Sequence, residues 1–301
     1  MSNDVITVAG LSKSFDGKSV LESLNLDLGA ETVYGLVGLN GVGKTTLIRL
    51  LLGLLRADSG HIDICGHDPW NHSPQFYRQV GAVLEHDGFR GNLTFDQNLK
   101  FFARARGISD DTVAQYLETE WSNWELVGSK KRVKFFSRGQ RMQCALCRAF
   151  LGWPKVCFLD EPTVALDMEA YDHFCRLVQR AKEHGSAIVI SSHHLEAIEA
   201  LCDRIGILQD HHLSELANET GSLGQWALTT DNRPEYGEII RRITGSGVSY
   251  TDGKWHFNSK NQKKDIPLLV AELVAHGCPV YEVRPVERAF RETIKKAYIK
   301  P

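Results

Sequence analysis

The stretch TVYGLVGLNGVGKTTLIRLLLGLL, residues 32–55, passes from an apolar strand through a glycine-rich turn into a helix whose leucines recur at helical period. Within it, Gly38 to Thr45 spell G-x-x-x-x-G-K-T. Glycines at 38, 41 and 43 let the backbone curl and approach a ligand closely. The loop's N–H groups then point at phosphate oxygens in front of a helix N-terminus. Lys44 is placed to reach the β- and γ-phosphates of a nucleotide, and the Thr45 hydroxyl to ligate Mg²⁺. The candidate nucleotide contacts here are Asn40, Gly41, Val42, Gly43, Lys44, Thr45 and Thr46. The pattern is short, but the strand before it and the helix after it are the context it requires.

Such a loop needs an acid at the end of a neighbouring strand as second metal partner, and PKVCFLDEPTVALD, residues 154–167, supplies one. Val156 to Leu159 read as a buried strand whose end presents Asp160 to the metal. Glu161 follows as a candidate base for an attacking water. A third apolar strand, in SAIVISSHHLEAIEALCDRIGIL, residues 186–208, ends at Ser191-Ser192 and offers His193, a candidate hydrogen-bond partner for a terminal phosphate.

Between the two acidic and glycine-rich segments lies KFFSRGQRMQCALCRAFLG, residues 134–152. Ser137 and Gln140 have capping-box spacing, and Met142, Leu146, Ala149 and Phe150 continue with helical period. A plain capped core helix explains all of this except Arg138. A cation in the first turn opposes the helix dipole, at a cost of roughly 0.3–1 kcal/mol unless an anion comes to it.

Taken in order, these parts resemble the ATP-binding subunit of ABC transporters, from about residue 4 to residue 212. FSRGQ looks like the signature motif, VALD with Asp167 like the D-loop, and His193 like the switch histidine. The resemblance implies an α/β fold: a P-loop NTPase core with an antiparallel β edge and an inserted helical subdomain. It also implies an ATPase using ATP and Mg²⁺, with Lys44, Glu161 and His193 as catalytic residues and Thr45, Asp160 and Glu85 at the metal. Phe15 takes the place of the aromatic that stacks on adenine, a contact worth ~1–3 kcal/mol by analogy with base–aromatic stacking. In the family two such domains pair head to tail, as a homodimer or with a second ATPase subunit. Ser137, Gly139 and Gln140 would then meet the partner's ATP, and its phosphates would be the anion that Arg138 lacks.

The resemblance further implies a membrane-spanning partner subunit, contacted near Glu85 to Phe102, where Phe89, Arg90, Phe101 and Phe102 lie. The expected location is cytoplasmic, peripheral on the inner face of the membrane, in an export-type system. Four positions depart from the family pattern: Phe136 and Arg138 in the signature, Glu85 where glutamine is common, and Val164 where serine is usual. A clamp that binds ATP with little hydrolysis, and a non-transport ATPase acting on nucleic acid or the ribosome, stand as alternatives. The second normally carries a tandem ATPase domain or a long coiled coil, and neither is visible.

The remaining composition is that of an ordinary globular chain. Formal charge is −2, from 35 basic and 37 acidic residues, which argues against bulk electrostatic binding of nucleic acid. The opening MSNDVITVAG has neither a basic nor an apolar leader region, so no signal peptide is expected. Seven scattered cysteines suggest a reducing compartment, with Cys144 and Cys147 read as small core residues.

Residues 1–222 form the expected ATPase domain, with its helical subdomain at about 86–152. There Thr94 and Gln97 repeat the capping-box spacing ahead of a helix, and SDDTVAQYL begins another. Residues 223–301 read as a small βαββαβ, ferredoxin-like domain. Its helices are expected at about Pro234 to Ile243 and Asp265 to His276, its hairpin turn at Asp252-Gly253, and a last helix from Val286.

Overall fold

A computed structural model describes residues 4–122, 124–193, 201–215, 225–245, 247–259 and 262–285. The chain divides into two compact units, Met1–Leu216 and Ala217–Pro301, a boundary six residues ahead of the one expected.

The first unit contains two sheets. β1 (Asp4–Phe15), β2 (Lys18–Gly29) and β4 (Ser59–Ile64) form an antiparallel sheet in the order β2-β1-β4. The larger sheet holds β3 (Val33–Val37), β5 (Val80–Val83), β6 (Val156–Asp160), β7 (Ala187–Ser192), β8 (Arg204–Gln209) and β9 (His212–Glu215). Its order is β5-β6-β7-β3-β8-β9, parallel throughout except for β9 at the edge. Every residue of β3, β6 and β7 is buried, as expected of central parallel strands covered on both faces. Helix α1 (Lys44–Leu51) joins the two sheets into one core. Its Leu47, Ile48, Leu50 and Leu51 are buried in a cluster that includes Ile6, Leu21 and Ile64 as well as Leu36 and Phe158. Each such side chain contributes about 1.5–3 kcal/mol of burial.

Three α-helices lie between β5 and β6 among the described residues. α3 (Phe95–Arg106), after the short α2 (Pro74–Gln79), starts at a reciprocal capping box between Thr94 and Gln97 and ends at Gly107, whose φ of 72° suits a left-handed C-cap. α4 (Asp110–Glu120) is capped by Ser109, and α5 (Arg138–Phe150) by Ser137 with Gln140. α6 (Met168–Glu183) is capped by Asp167. Cys144, Cys147 and Cys157 are buried, and burial pushes their thiols up, Cys157 to about 12. They pack as small apolar residues, and no group of three or more His, Cys, Asp or Glu capable of holding a metal occurs among the described residues.

The second unit runs β10 (Gln225–Thr229), α7 (Pro234–Thr244), β11 (Val248–Thr251), β12 (Lys254–Asn258), α8 (Gln262–Ala275), β13 (Glu282–Pro285). The strand order β11-β12-β10-β13, all antiparallel, is the split βαβ arrangement. Asp252 (φ 52°) and Gly253 (φ 76°) make the two-residue hairpin turn, since a primed turn needs positive φ at both positions. Leu228, Trp255 and Phe257 meet Tyr236, Ile240, Leu269 and Leu273 in its own core. The helix expected from Val286 lies outside the described residues.

Candidate functional site

Strand register brings the site together. Asp160 is paired with Ser191 across β6 and β7, and Val37 with Ser192 across β7 and β3. The carboxyl ends of three adjacent parallel strands therefore open onto one crevice, where ligands of open α/β sheets bind. The crevice holds a pocket of about 190 Å³ lined by Asn40, Gly41, Gly43, Lys44, Thr45, Thr46 and Glu161.

The loop from β3 to α1 keeps its shape through its glycines. A Cβ on Gly38 would stand 2.6 Å from the Leu208 carbonyl oxygen, and Gly43 has a φ of 119°. Lys44 is 6% exposed, and its Nζ donates to the carbonyls of Gly38 (2.7 Å) and Leu39 (3.2 Å). Glu161 Oε1 stands 3.8 Å from it. Burial lowers the Lys44 pKa, against the opposing pull of the Glu161 and Asp160 carboxylates.

The two adjacent acids have different surroundings. Asp160 is buried, and its Oδ2 accepts from the Thr45 hydroxyl at 2.7 Å. Its Oδ1 accepts from the Ser191 hydroxyl at 2.5 Å. Glu161 turns into the left-handed region at φ 49°. Its N–H is shared between the Ser191 carbonyl (3.2 Å) and hydroxyl (3.0 Å), and its Oε2 accepts from His193 Nδ1 at 2.8 Å. Lys44, Thr45, Asp160, Glu161 and His193 thus form one connected set.

Three other positions stand apart from the pocket lining. Phe15 ends β1 at 43% exposure with the Lys13 ammonium 5.3 Å from its ring centre. Glu85 is exposed in the bend after β5, and the other two metal candidates, Thr45 and Asp160, are joined by a hydrogen bond. The start of α5 is also away from the lining. There the Ser137 hydroxyl accepts from Gln140 N–H, and Gln140 Oε1 from Ser137 N–H, each at 3.1 Å. The Gln140 amide donates on to Glu125 at 2.9 Å, which commits that side chain to its own chain. A Cβ on Gly139 would come within 2.7 Å of the Ala165 carbonyl oxygen, so this glycine is needed for the helix start to lie against residues 164–167.

The two cations in the first turn of α5 differ. Arg141 donates to both Asp87 oxygens, at 2.7 and 3.1 Å, so its anion comes from the segment after Glu85. Arg138 is exposed, with no ion pair or hydrogen bond among the described residues. Arg148, farther along α5, donates to the carbonyls of Asp87 and Ala82, and lies near the rings of Phe89 and Phe102. Buried Asn98 of α3 bonds both backbone groups of Arg90. Phe89 and Phe102 are thereby packed inward, whereas Phe101 is 44% exposed with the Arg90 guanidinium 4.3 Å from its ring centre. Ser191, Asp87 and Asn98 carry no motif of their own, and only the strand order and helix packing bring them to these positions.

A phosphate-cradling loop joined to a threonine–aspartate pair and a following glutamate on adjacent parallel strands defines a P-loop ATPase. The chain belongs to the ATP-binding proteins of ABC transporters, and it is an ATP-binding ATPase. A family model described as ABC transporter matches residues 21–164. The bacitracin transport ATP-binding protein BcrA of Bacillus licheniformis is 36% identical over 213 residues, 70% of this chain and 69% of that protein. The daunorubicin resistance ATP-binding protein DrrA3 of Streptomyces coeruleorubidus is 31% identical, covering 73% of this chain and 72% of its own. A solved ATP-binding subunit of an ABC transporter shares the fold, with a TM-score of 0.68 at 24% identity over 90% of this chain and 99% of its own.

Proposed function

We propose that the chain hydrolyses Mg²⁺-ATP at this crevice and, pairing head to tail with a second ATPase chain, drives a membrane-spanning export subunit. The observation that carries the proposal is the meeting of Lys44, Thr45, Asp160, Glu161 and His193 at the ends of three neighbouring strands. In it, Lys44 turns from the Gly38 and Leu39 carbonyls to phosphate oxygens, and the loop N–H groups from Asn40 to Thr46 hold the rest of the triphosphate. The Thr45 and Asp160 oxygens are hard donors of the kind Mg²⁺ takes, and the ion would neutralise charge on the phosphates. Glu161 takes the proton of the attacking water, and His193 orients the Glu161 carboxylate and senses the terminal phosphate.

The Ser137 side of α5 serves the second chain. Its hydroxyl accepts the cap hydrogen bond and keeps its own proton for a phosphate oxygen, whereas Gln140 stays inward as a support. The uncompensated Arg138 adds a cation there. A surface cleft of about 480 Å³ lined by Leu93, Gln97, Lys100, Phe101, Arg104 and Ala105, together with Glu85, is the region offered to the membrane subunit. No helix among the described residues is long and apolar enough to cross a membrane, which accords with a peripheral position on the inner membrane face beside a separate spanning subunit. The names of BcrA and DrrA3 support an export role.

Glu161→Gln tests the assignment. ATP binding should persist while hydrolysis falls about a hundredfold or more, the usual worth of a general base. Turnover at the wild-type rate would remove Glu161 from the mechanism.

A further inference from the structure

We infer that Ser191 is a positioning residue for both carboxylates, holding Asp160 for the metal and Glu161 for the water through a single hydroxyl. The inference rests on the site reading above and adds to it a residue on a different strand. Ser191 is fully buried, and its side chain has two jobs. Its hydrogen goes to Asp160 Oδ1 at 2.5 Å, which leaves Oδ2 turned to Thr45 at 2.7 Å. A lone pair of the same oxygen accepts the N–H of Glu161 at 3.0 Å.

The second bond matters because Glu161 sits at φ 49°, a region that side chains with a Cβ enter at a cost. Its N–H is the group that fixes this turn to β7, and a hydroxyl and a carbonyl of one residue share it. The next link outward is the 2.8 Å contact between the Glu161 carboxylate and His193, two residues beyond Ser191 on the same chain segment. β7 therefore sets the rotamer of one acid and the backbone of the other. An alanine cannot replace it, because it has neither the hydrogen that Asp160 accepts nor the oxygen lone pair that takes the Glu161 N–H.

An alternative role, that of a buried serine satisfying a strand end, is met by another residue of the same segment. Ser186, immediately before the start of β7, is equally buried and donates to the Pro154 carbonyl at 2.5 Å. It lies at the opposite end of the strand from the pocket and supplies the control.

The test measures affinity for a fluorescent ATP analogue in EDTA and in Mg²⁺, together with the Mg²⁺ dependence of hydrolysis, in the full chain. In Ser191→Ala the half-saturating Mg²⁺ concentration should rise about tenfold and the gain in nucleotide affinity given by Mg²⁺ should shrink by a similar factor, the scale of one lost hydrogen bond. Affinity in EDTA should stay within about twofold of wild type. Ser186→Ala should leave all three quantities unchanged. Equal loss in EDTA and Mg²⁺, or an unchanged Mg²⁺ dependence in Ser191→Ala, would overturn the inference. Thr45→Ala separates the two levels: if it too leaves Mg²⁺ dependence unchanged, the metal reading itself fails, and if it alone changes, only the role of Ser191 fails.

Discussion

Replacing Lys44 by methionine should stabilise the ligand-free protein while removing its response to nucleotide. Methionine keeps an unbranched apolar stem, one atom shorter, and deletes the charge of a residue that is 6% exposed. Two hydrogen bonds to the Gly38 and Leu39 carbonyls are lost, at about 1.5–3 kcal/mol each for a charged donor. The contact with partly exposed Glu161 adds at most about 1 kcal/mol. Against these stands the burial of an ammonium, several kcal/mol in effective terms. Burial is the largest influence on this group and lowers its pKa, so the balance falls on the side of the uncharged form. The opposing contributions are of similar size, so the gain is small, at most about 1 kcal/mol, or up to roughly 2–4 °C for a unit of this size.

Wild type should gain about 2.7 kcal/mol from Mg²⁺-ADP at a hundred times its Kd, and the variant almost nothing. Thermal unfolding with and without Mg²⁺-ADP reads both effects. Proton linkage gives a second arm. The native state loses the Lys44 proton before the unfolded chain does, so the cost of the buried charge is carried in full at neutral pH. It is relieved as pH rises from the lowered native pKa to the ordinary value of 10.5. Bound phosphate favours the charged form, so nucleotide stabilisation of wild type should shrink across that alkaline window. A Lys44→Met protein several degrees less stable than wild type, yet still shifted fully by Mg²⁺-ADP, would refute the reasoning.

Two further outcomes follow from the segment after β5. Asp87→Asn and Arg141→Gln should be non-additive in a double-mutant cycle of stability, with a coupling of about 1–2 kcal/mol for a half-buried bidentate pair, and additivity within about 0.5 kcal/mol would deny the link. Glu85→Ala should leave nucleotide affinity within about twofold while lowering the stimulation of ATPase by the membrane subunit, because the side chain is exposed beyond the pocket lining. Loss of nucleotide affinity with stimulation intact would return Glu85 to the metal.

The local devices of the fold were legible in the sequence because each is written in consecutive residues. G-x-x-x-x-G-K-T between a strand and a helix, the Thr94 and Ser137 capping boxes and the Asp252-Gly253 turn all specify backbone over a few positions. What lies through space was not legible. Strand order places β7 between β6 and β3, so Ser191 reaches Asp160 across 31 positions of sequence, and no spacing rule marks it. Gly139 has the same lesson. The sequence suggests close approach to a phosphate, and the structure adds a demand from within the chain, the Ala165 carbonyl. The first-turn cations also look alike in sequence, and only packing assigns Asp87 to Arg141 and leaves Arg138 outward. Glu85 is placed at the metal by resemblance alone, and it lies exposed in a bend whose position no spacing rule fixes.

The most direct test of a site shared by two chains mixes Lys44→Met with Ser137→Asp. Aspartate retains the N-cap, so α5 keeps its start, and it avoids the Ala165 contact that any substitution at Gly139 would strain. It also sets a carboxylate against the partner's phosphates. Each variant alone should be nearly inactive. In an equal mixture half of the dimers pair the two chains, and each of these has one intact P-loop facing one intact signature, so hydrolysis should return to about a quarter of wild type. Activity no greater than the sum of the separate variants, in a mixture shown to exchange subunits, would contradict the account.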